Sequence, residues 1–254
     1  IVTALLLAVL ALVHYPAVRL RLRNALPPTV GYNPDSILHI TAIVIAAIYL
    51  SLEFHAFVLI GGIQGVVEEL EGGIDPQNLW FQVAFYLSVS LLGVGLFSRR
   101  TWPQVLERLG LTSFSFNDIK QGVGMGIAMY GLMIALNIIG VIFFPQSPEI
   151  AYDEILSLST PESILSFGFL IALTAAISEE ILFRGALQPV FGITLTSLFF
   201  ALTHLQYTFT WASVIIFFVS LGFGYVRQHT STTAAIIAHF VYNFVPFLLL
   251  ASLS

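Results

Sequence analysis

Eight predominantly apolar stretches follow one another along this 254-residue chain. They lie near residues 1–18, 36–63, 78–98, 119–144, 163–183, 190–206, 211–227 and 233–252. A helix needs about 20 apolar residues to cross the hydrocarbon core of a bilayer, and in lipid it satisfies its own backbone hydrogen bonds. The sequence therefore predicts an all-α, polytopic integral membrane bundle with about eight transmembrane helices, forming a single domain over residues 1–254.

The amino-acid composition supports a membrane protein and excludes several other kinds of site and partner. Hydrophobic residues make up 57% of the chain and charged residues 9%, so lipid is the expected partner of most of the surface. The chain has no cysteine, which excludes disulfides, thiolate metal ligands and cysteine nucleophiles. It also has no basic stripe of the kind that binds nucleic acid, so we expect no nucleic-acid partner.

The charged residues sort between alternate loops. All nine basic residues lie in or beside the first, third, fifth and seventh loops, and they are Arg19, Arg21, Arg23, Arg99, Arg100, Arg108, Lys120, Arg184 and Arg227. The second and fourth loops are acidic, with Glu68, Glu69, Glu71, Asp75, Glu149, Asp153, Glu154 and Glu162. Because cytoplasmic loops collect Lys and Arg, both chain ends are predicted to be non-cytoplasmic. A missed helix would disrupt this sorting, so the charges support the count of eight.

Small residues and prolines give further local predictions. Close helix packing is expected at the glycines of the fourth and seventh stretches, which are Gly122, Gly126, Gly131, Gly222 and Gly224. Pro189 is expected to interrupt the chain between the fifth and sixth stretches.

Several polar side chains lie in stretches where lipid disfavours them, close to the C-terminal end of the chain. The fifth stretch contains Glu179, Glu180 and Arg184, the sixth contains Phe200 and His204, and the eighth contains His239 and Asn243. Ionisable residues inside membrane helices are costly and commonly functional. These residues are therefore the predicted site.

Helical spacing assigns partners within this set. Glu180 can pair with Arg184 four residues later, whereas Glu179 lies about 100° away around the helix and can face the bundle interior as a free carboxylate. His204 shares a face with Phe200. His239 and Asn243 also share one face, so both can donate hydrogen bonds toward one point.

This set is suited to hydrolysis by an activated water. Ser178 faces away from Glu179 and no Gly-x-Ser-x-Gly turn is present, so a serine nucleophile is disfavoured. Glu179 and His204 can activate water, while His239 and Asn243 can stabilise the oxyanion of peptide hydrolysis. Three alternatives remain open: a purely structural polar network, a zinc or iron site built from the two histidines and a carboxylate, and a transporter that uses Glu179 as a proton relay.

The motifs Glu-Glu-x-x-x-Arg, Phe-x-x-x-His and His-x-x-x-Asn occur in this order at residues 179–184, 200–204 and 239–243. In this pattern the chain resembles the CPBP membrane proteins, which group the type II CAAX prenyl proteases with bacteriocin-processing and immunity-related (Abi) proteins. The resemblance covers a core of about residues 163–250.

The resemblance implies an intramembrane endopeptidase with its active site toward the cytoplasmic side. It implies that Glu179 and His204 activate water, that His239 and Asn243 form the oxyanion pocket, and that Glu180, Arg184 and Phe200 support the site. It further implies a glutamate mechanism without a metal or other cofactor. The substrate would be a peptide or protein reached through the membrane, with a prenylated substrate as one alternative. A catalytically silent scaffold or immunity protein is compatible with the same motifs.

Overall fold

The computed structural model describes residues 2–26, 30–59, 61, 76–112, 114–143, 160–204 and 210–253. All regular secondary structure within these ranges is helical, which confirms the predicted all-α class. Of the acidic residues expected in the second and fourth loops, those in segments 62–75 and 144–159 lie outside the described residues.

Each predicted apolar stretch corresponds to a helix. In chain order the helices are α1 (Val2–Val13), α2 (Pro16–Ala25), α3 (Ile37–Leu59), α4 (Pro76–Gly93), α5 (Trp102–Leu109), α6 (Phe116–Phe143), α7 (Pro161–Glu180), a π-helical segment (Ile181–Leu187), α8 (Gln188–Thr203), α9 (Trp211–His229) and α10 (Thr232–Ala251).

Five helical segments within the described ranges are long and apolar enough to cross a membrane. They are α3, α6, the continuous segment Pro161–Thr203, α9 and α10. The apolar segment Leu79–Gly93 is shorter, and Pro161–Thr203 is 43 residues long, about twice the length that one crossing needs. The polytopic bundle is therefore confirmed, while the count of eight is approximate.

The junction between the fifth and sixth stretches differs from the prediction. Pro189 does not interrupt the chain, because it lies in the first turn of α8. A backbone N–H at that position forms no hydrogen bond within α8, so proline is tolerated there. The helix instead breaks at Gly192, whose φ of 75° and ψ of 175° are non-helical. Glycine adopts a positive φ without the steric cost of a Cβ atom, so the chain changes direction there.

Helix α10 lies between α6 and α7 because glycines on both neighbours leave room for it. A Cβ atom added to Gly126 would lie 2.6 Å from the carbonyl oxygen of Ala238, and one added to Gly122 would lie 2.7 Å from that of Ala234. On the other side, Gly168 of α7 faces the ring of Phe247. These glycines therefore determine how closely α10 approaches α6 and α7.

The prediction of close packing holds for four of the five glycines. Gly222 faces Met129, and Gly224 faces Ile193 and Gln188. Gly131 is different, because no atom lies within 4 Å of the position that its Cβ would occupy.

The short helix α5 connects several of the longer helices at the end of the bundle that carries arginines. Arg108 donates hydrogen bonds to the carbonyl oxygens of Gly185 and Ala186, at 2.9 and 3.3 Å. Thr232, the first residue of α10, donates its hydroxyl to the carbonyl oxygen of Leu109, and both residues are fully buried. The segment Leu109–Leu111 is thereby fixed against the π-helical segment and the start of α10.

The α6–α10 contact gives a prediction about stability. Substituting Gly126→Ala places a methyl group against the backbone of α10, so the two helices must separate at a cost of about 1–3 kcal/mol. We expect a lower unfolding temperature for this variant in detergent. The matched control is Gly124→Ala on the same helix, where no atom lies within 4 Å of the added Cβ. Equal destabilisation by both variants would contradict this account of the packing.

Candidate active site

Two adjacent carboxylates end α7, immediately before the π-helical segment. Glu180 is fully buried and Glu179 is 9% exposed. The preceding Ser178 donates its hydroxyl to the carbonyl oxygen of Thr174 one turn earlier, at 2.7 Å. The hydroxyl of Ser178 is therefore used within its own helix, in agreement with the absence of a serine-nucleophile motif.

Glu180 connects two other charged or ionisable side chains. Its Oε2 atom lies 3.0 Å from Nε of Arg184, so the predicted pair four residues apart is present. Its Oε1 atom accepts a hydrogen bond from Nδ1 of His239 at 2.9 Å. The contact with His239 was not predicted, because residue spacing cannot show which face α10 turns toward α7.

Arg184 is fully buried and contacts side chains on two other helices as well as Glu180. Its Nη2 atom donates to the hydroxyl of Ser220 on α9 at 2.9 Å. Its guanidinium carbon lies 5.2 Å from the centre of the Phe200 ring on α8, a cation–π distance. Sequence reasoning missed Ser220, although a serine within an apolar span is itself a signal.

The π-helical geometry of residues 181–187 occurs where the site is built. In this segment the N–H of Gln188 bonds to the carbonyl of Phe183, five residues earlier. Such segments are rare and are frequent at functional sites. The regular α-helix expected through Arg184 is therefore corrected to an α-helix that ends at Glu180 and continues in π geometry.

His204 caps the C-terminal end of α8, beside Phe200. Its Nδ1 atom lies 2.8 Å from the carbonyl oxygen of Phe200, and the two ring centres are 4.7 Å apart. A carbonyl can only accept, so Nδ1 of His204 carries the proton. A neutral imidazole with its proton on Nδ1 has a lone pair on Nε2, which suits a group that holds water or accepts a proton.

His239 lies between two aromatic rings. Its imidazole stacks on Phe223 of α9, with ring centres 4.9 Å apart and an interplanar angle of 20°. The ring of Phe200 on α8 approaches in an edge-to-face arrangement, with its centre 6.1 Å from that of the imidazole. Phe200 therefore contacts both histidines as well as Arg184. Phe223 was missed because a phenylalanine in an apolar helix carries no sequence signal of its own.

The structure brings most of the predicted site residues into direct contact. Glu180, Arg184, Phe200, His204 and His239 form one connected group. Glu179 neighbours this group and interacts electrostatically with Arg184, but it forms no hydrogen bond or ion pair within the described part of the chain. Asn243 lies one turn beyond His239 on α10, where it is half-buried.

A metal site was one of the open alternatives. No group of three or more His, Asp or Glu side chains in the described ranges is arranged to hold a metal ion. Glu180 contacts both Arg184 and His239, and His239 also packs against Phe223 and Phe200.

The fold and the site define a polytopic helical membrane protein with a buried carboxylate, guanidinium and imidazole network. Residues 161–245 match the family model described as type II CAAX prenyl endopeptidase Rce1-like. The match covers about a third of the chain and includes all three motifs, so it confirms the CPBP resemblance over this segment and supports a peptidase. Neither the search of curated proteins nor the search of solved structures gave a match.

The two adjacent glutamates should differ in their effect on stability. Glu180→Gln removes the charge that balances the buried Arg184, and breaking such a pair costs about 3–5 kcal/mol. We expect Glu180→Gln to lower the unfolding temperature strongly in detergent. The matched control is Glu179→Gln, which has the same change in size and charge one residue earlier and should unfold close to the wild type. Equal stabilities of the two variants would contradict a supporting role for Glu180.

Proposed function

We propose that this protein is an intramembrane endopeptidase in which Glu179 and His204 activate the water that hydrolyses a peptide bond. The observation that carries the proposal is the different use of the two glutamates. Glu180 is occupied by Arg184 and His239. Glu179, next to it and largely shielded, has no hydrogen-bond or ion-pair partner within the described ranges, and it is therefore the carboxylate left for chemistry.

In this mechanism a water molecule lies between Glu179 and His204. The lone pair on Nε2 of His204 orients the water, and Glu179 takes a proton as the water oxygen attacks the peptide carbonyl. The same carboxyl group then gives its proton to the departing amine. Water enters and its proton leaves with the amine, so Glu179 ends each cycle as a carboxylate.

His239 and Asn243 are the proposed oxyanion donors, since they lie one turn apart on α10. The Nδ1 proton of His239 is donated to Glu180, so Nε2 carries a hydrogen only when the ring is an imidazolium. In the imidazolium form, Nε2 can donate a hydrogen bond to the oxyanion. Donors of this kind, fixed in a shielded site, contribute about 3 kcal/mol each in enzymes where one has been removed.

The proposed substrate is a membrane-associated protein whose cleavage site enters from the bilayer. The match to a CAAX prenyl endopeptidase model supports a prenylated substrate as the first to test. A catalytically silent scaffold or immunity protein is the competing hypothesis, because the same motifs would be present in it.

Activity should depend on Glu179 and not on an added metal. Loss of a general base typically reduces the rate by about 10²–10⁴-fold, so we expect Glu179→Gln to lower cleavage of a farnesylated CAAX peptide by that amount. The readout is the rate of release of the C-terminal tripeptide by the reconstituted protein. The matched control is Glu162→Gln, an exposed glutamate at the opposite end of α7.

Each hypothesis predicts a different result in that assay. Wild-type cleavage that survives a chelator and disappears in Glu179→Gln supports the proposal. Cleavage that a chelator abolishes and zinc restores would favour the metal site. The scaffold hypothesis is favoured if the wild type does not cleave this peptide and no uncut membrane protein accumulates in cells that carry Glu179→Gln. Proton flux across vesicles that contain the protein would favour transport.

We also propose that the end of the bundle with Arg99, Arg108 and Arg184 faces the cytoplasm and that the chain ends lie on the opposite side. Because the chain has no cysteine, single cysteines can test this directly. Ser98 and Ser252 are both exposed serines and form a matched pair. We expect a membrane-impermeant maleimide to label Ser98→Cys only from the cytoplasmic side and Ser252→Cys only from the other. Labelling of both from one side would contradict this topology.

A further inference from the structure

An open groove of about 460 Å³ lies at the end of the bundle that carries the arginines, outside the site described above. Its lining residues come from the start of α3, the turn after α4 and helix α5, and they are Leu38, Arg99, Arg100, Gln104, Glu107 and Arg108. The volume is within the range of about 300–1,000 Å³ that is typical of small-molecule sites. With three arginines and one glutamate, its lining is cationic.

Two of the three arginines in the groove, Arg100 and Arg108, are held by backbone carbonyls without being neutralised. Arg100 donates to the carbonyl oxygen of Val94, and Arg108 donates to the two π-segment carbonyls described above. A carbonyl fixes a guanidinium group but carries no net charge. None of the three arginines forms an ion pair within the described part of the chain, even though Glu107 lines the same groove.

The positive charges are also close to one another. Burial, together with the like charges of Arg100 and Arg227, lowers the pKa of Arg108 to about 10. The side chain is still protonated at neutral pH. A cluster of arginines that form no ion pair is an environment in which binding of an anion is favourable.

Exposed aromatic rings surround this end of the bundle. Phe97 and Phe114 lie on the segments that join α4, α5 and α6, Trp102 and Phe116 begin α5 and α6, and Phe97 is 89% exposed. The backbone of Phe97 has φ of 63°, a left-handed conformation that is costly for a non-glycine residue. Trp is enriched at the membrane–water interface, and exposed Phe rings favour lipid over water, so this end of the bundle is suited to the depth of the lipid headgroups.

We propose that this groove binds a phosphate group, supplied by the headgroup of an anionic phospholipid. Guanidinium groups match the geometry of phosphate oxygens and form charge-assisted hydrogen bonds with them. Basic pockets at the cytoplasmic ends of membrane helices are suited to lipid headgroups. A free phosphate in solution has the same chemistry and is the other source to be distinguished.

The test uses the full chain in nanodiscs of phosphatidylcholine to which a small fraction of phosphatidylglycerol is added. Native mass spectrometry measures the lipid that stays bound to the protein after the protein is released from the nanodisc. Each arginine near a headgroup contributes about fivefold to affinity, so Arg99→Gln/Arg100→Gln should lower retention of phosphatidylglycerol about 25-fold. The matched control is Arg21→Gln/Lys120→Gln, which removes the same charge from exposed residues on the same predicted side, away from the groove.

A single substitution guards against a folding defect in the double variant. The side chain of Arg99 is exposed and forms no hydrogen bond in the described ranges, so Arg99→Gln should keep the wild-type unfolding temperature and still lose about fivefold in retention. Selective retention of phosphatidylglycerol that inorganic phosphate does not displace supports the lipid source. Displacement by inorganic phosphate supports a phosphate site filled from solution. Equal retention by the groove variants, the control variant and the wild type would overturn the proposal.

Discussion

The structure depends on one fully buried ion pair, Glu180 with Arg184, inside a bundle whose outer surface is apolar. Burying two charges in a medium of low dielectric costs several kcal/mol per ion unless further contacts compensate. Here compensation comes from His239, Ser220 and the ring of Phe200, each on a different helix. These contacts form only when α8, α9 and α10 are all in place, so the same contacts that stabilise the charges also assemble the site.

The surrounding packing fixes how closely those helices approach. Gly122 and Gly126 hold α10 against α6, which sets the position of His239 relative to α7. At the end of the bundle with the arginines, Arg108 occupies the carbonyls of Gly185 and Ala186, which the π-helical segment presents toward α5. Both features act on the site through backbone positions and not through contact with the reacting groups.

Relations within one helix could be predicted from the sequence, whereas relations between helices could not. The Glu180–Arg184 pair and the Phe200–His204 contact follow from a spacing of four residues, and both are present. The hydrogen bond from His239 to Glu180 depends on how α10 is rotated about its axis, which hydropathy does not encode. The break at Gly192 was assigned to Pro189 because a proline in the first turn of a helix and one that interrupts a helix look alike in sequence.

The π-helical segment limits how many residues can be inserted into or deleted from this part of the chain. Relative to a regular α-helix, π geometry contains an extra residue between the glutamates and the motif of Phe200 and His204. Removing one residue from 181–187 would leave the hydropathy unchanged but would turn α8 by about 100° relative to α7. Natural variation in length should therefore be found in the loops, while this seven-residue segment keeps a constant number of residues.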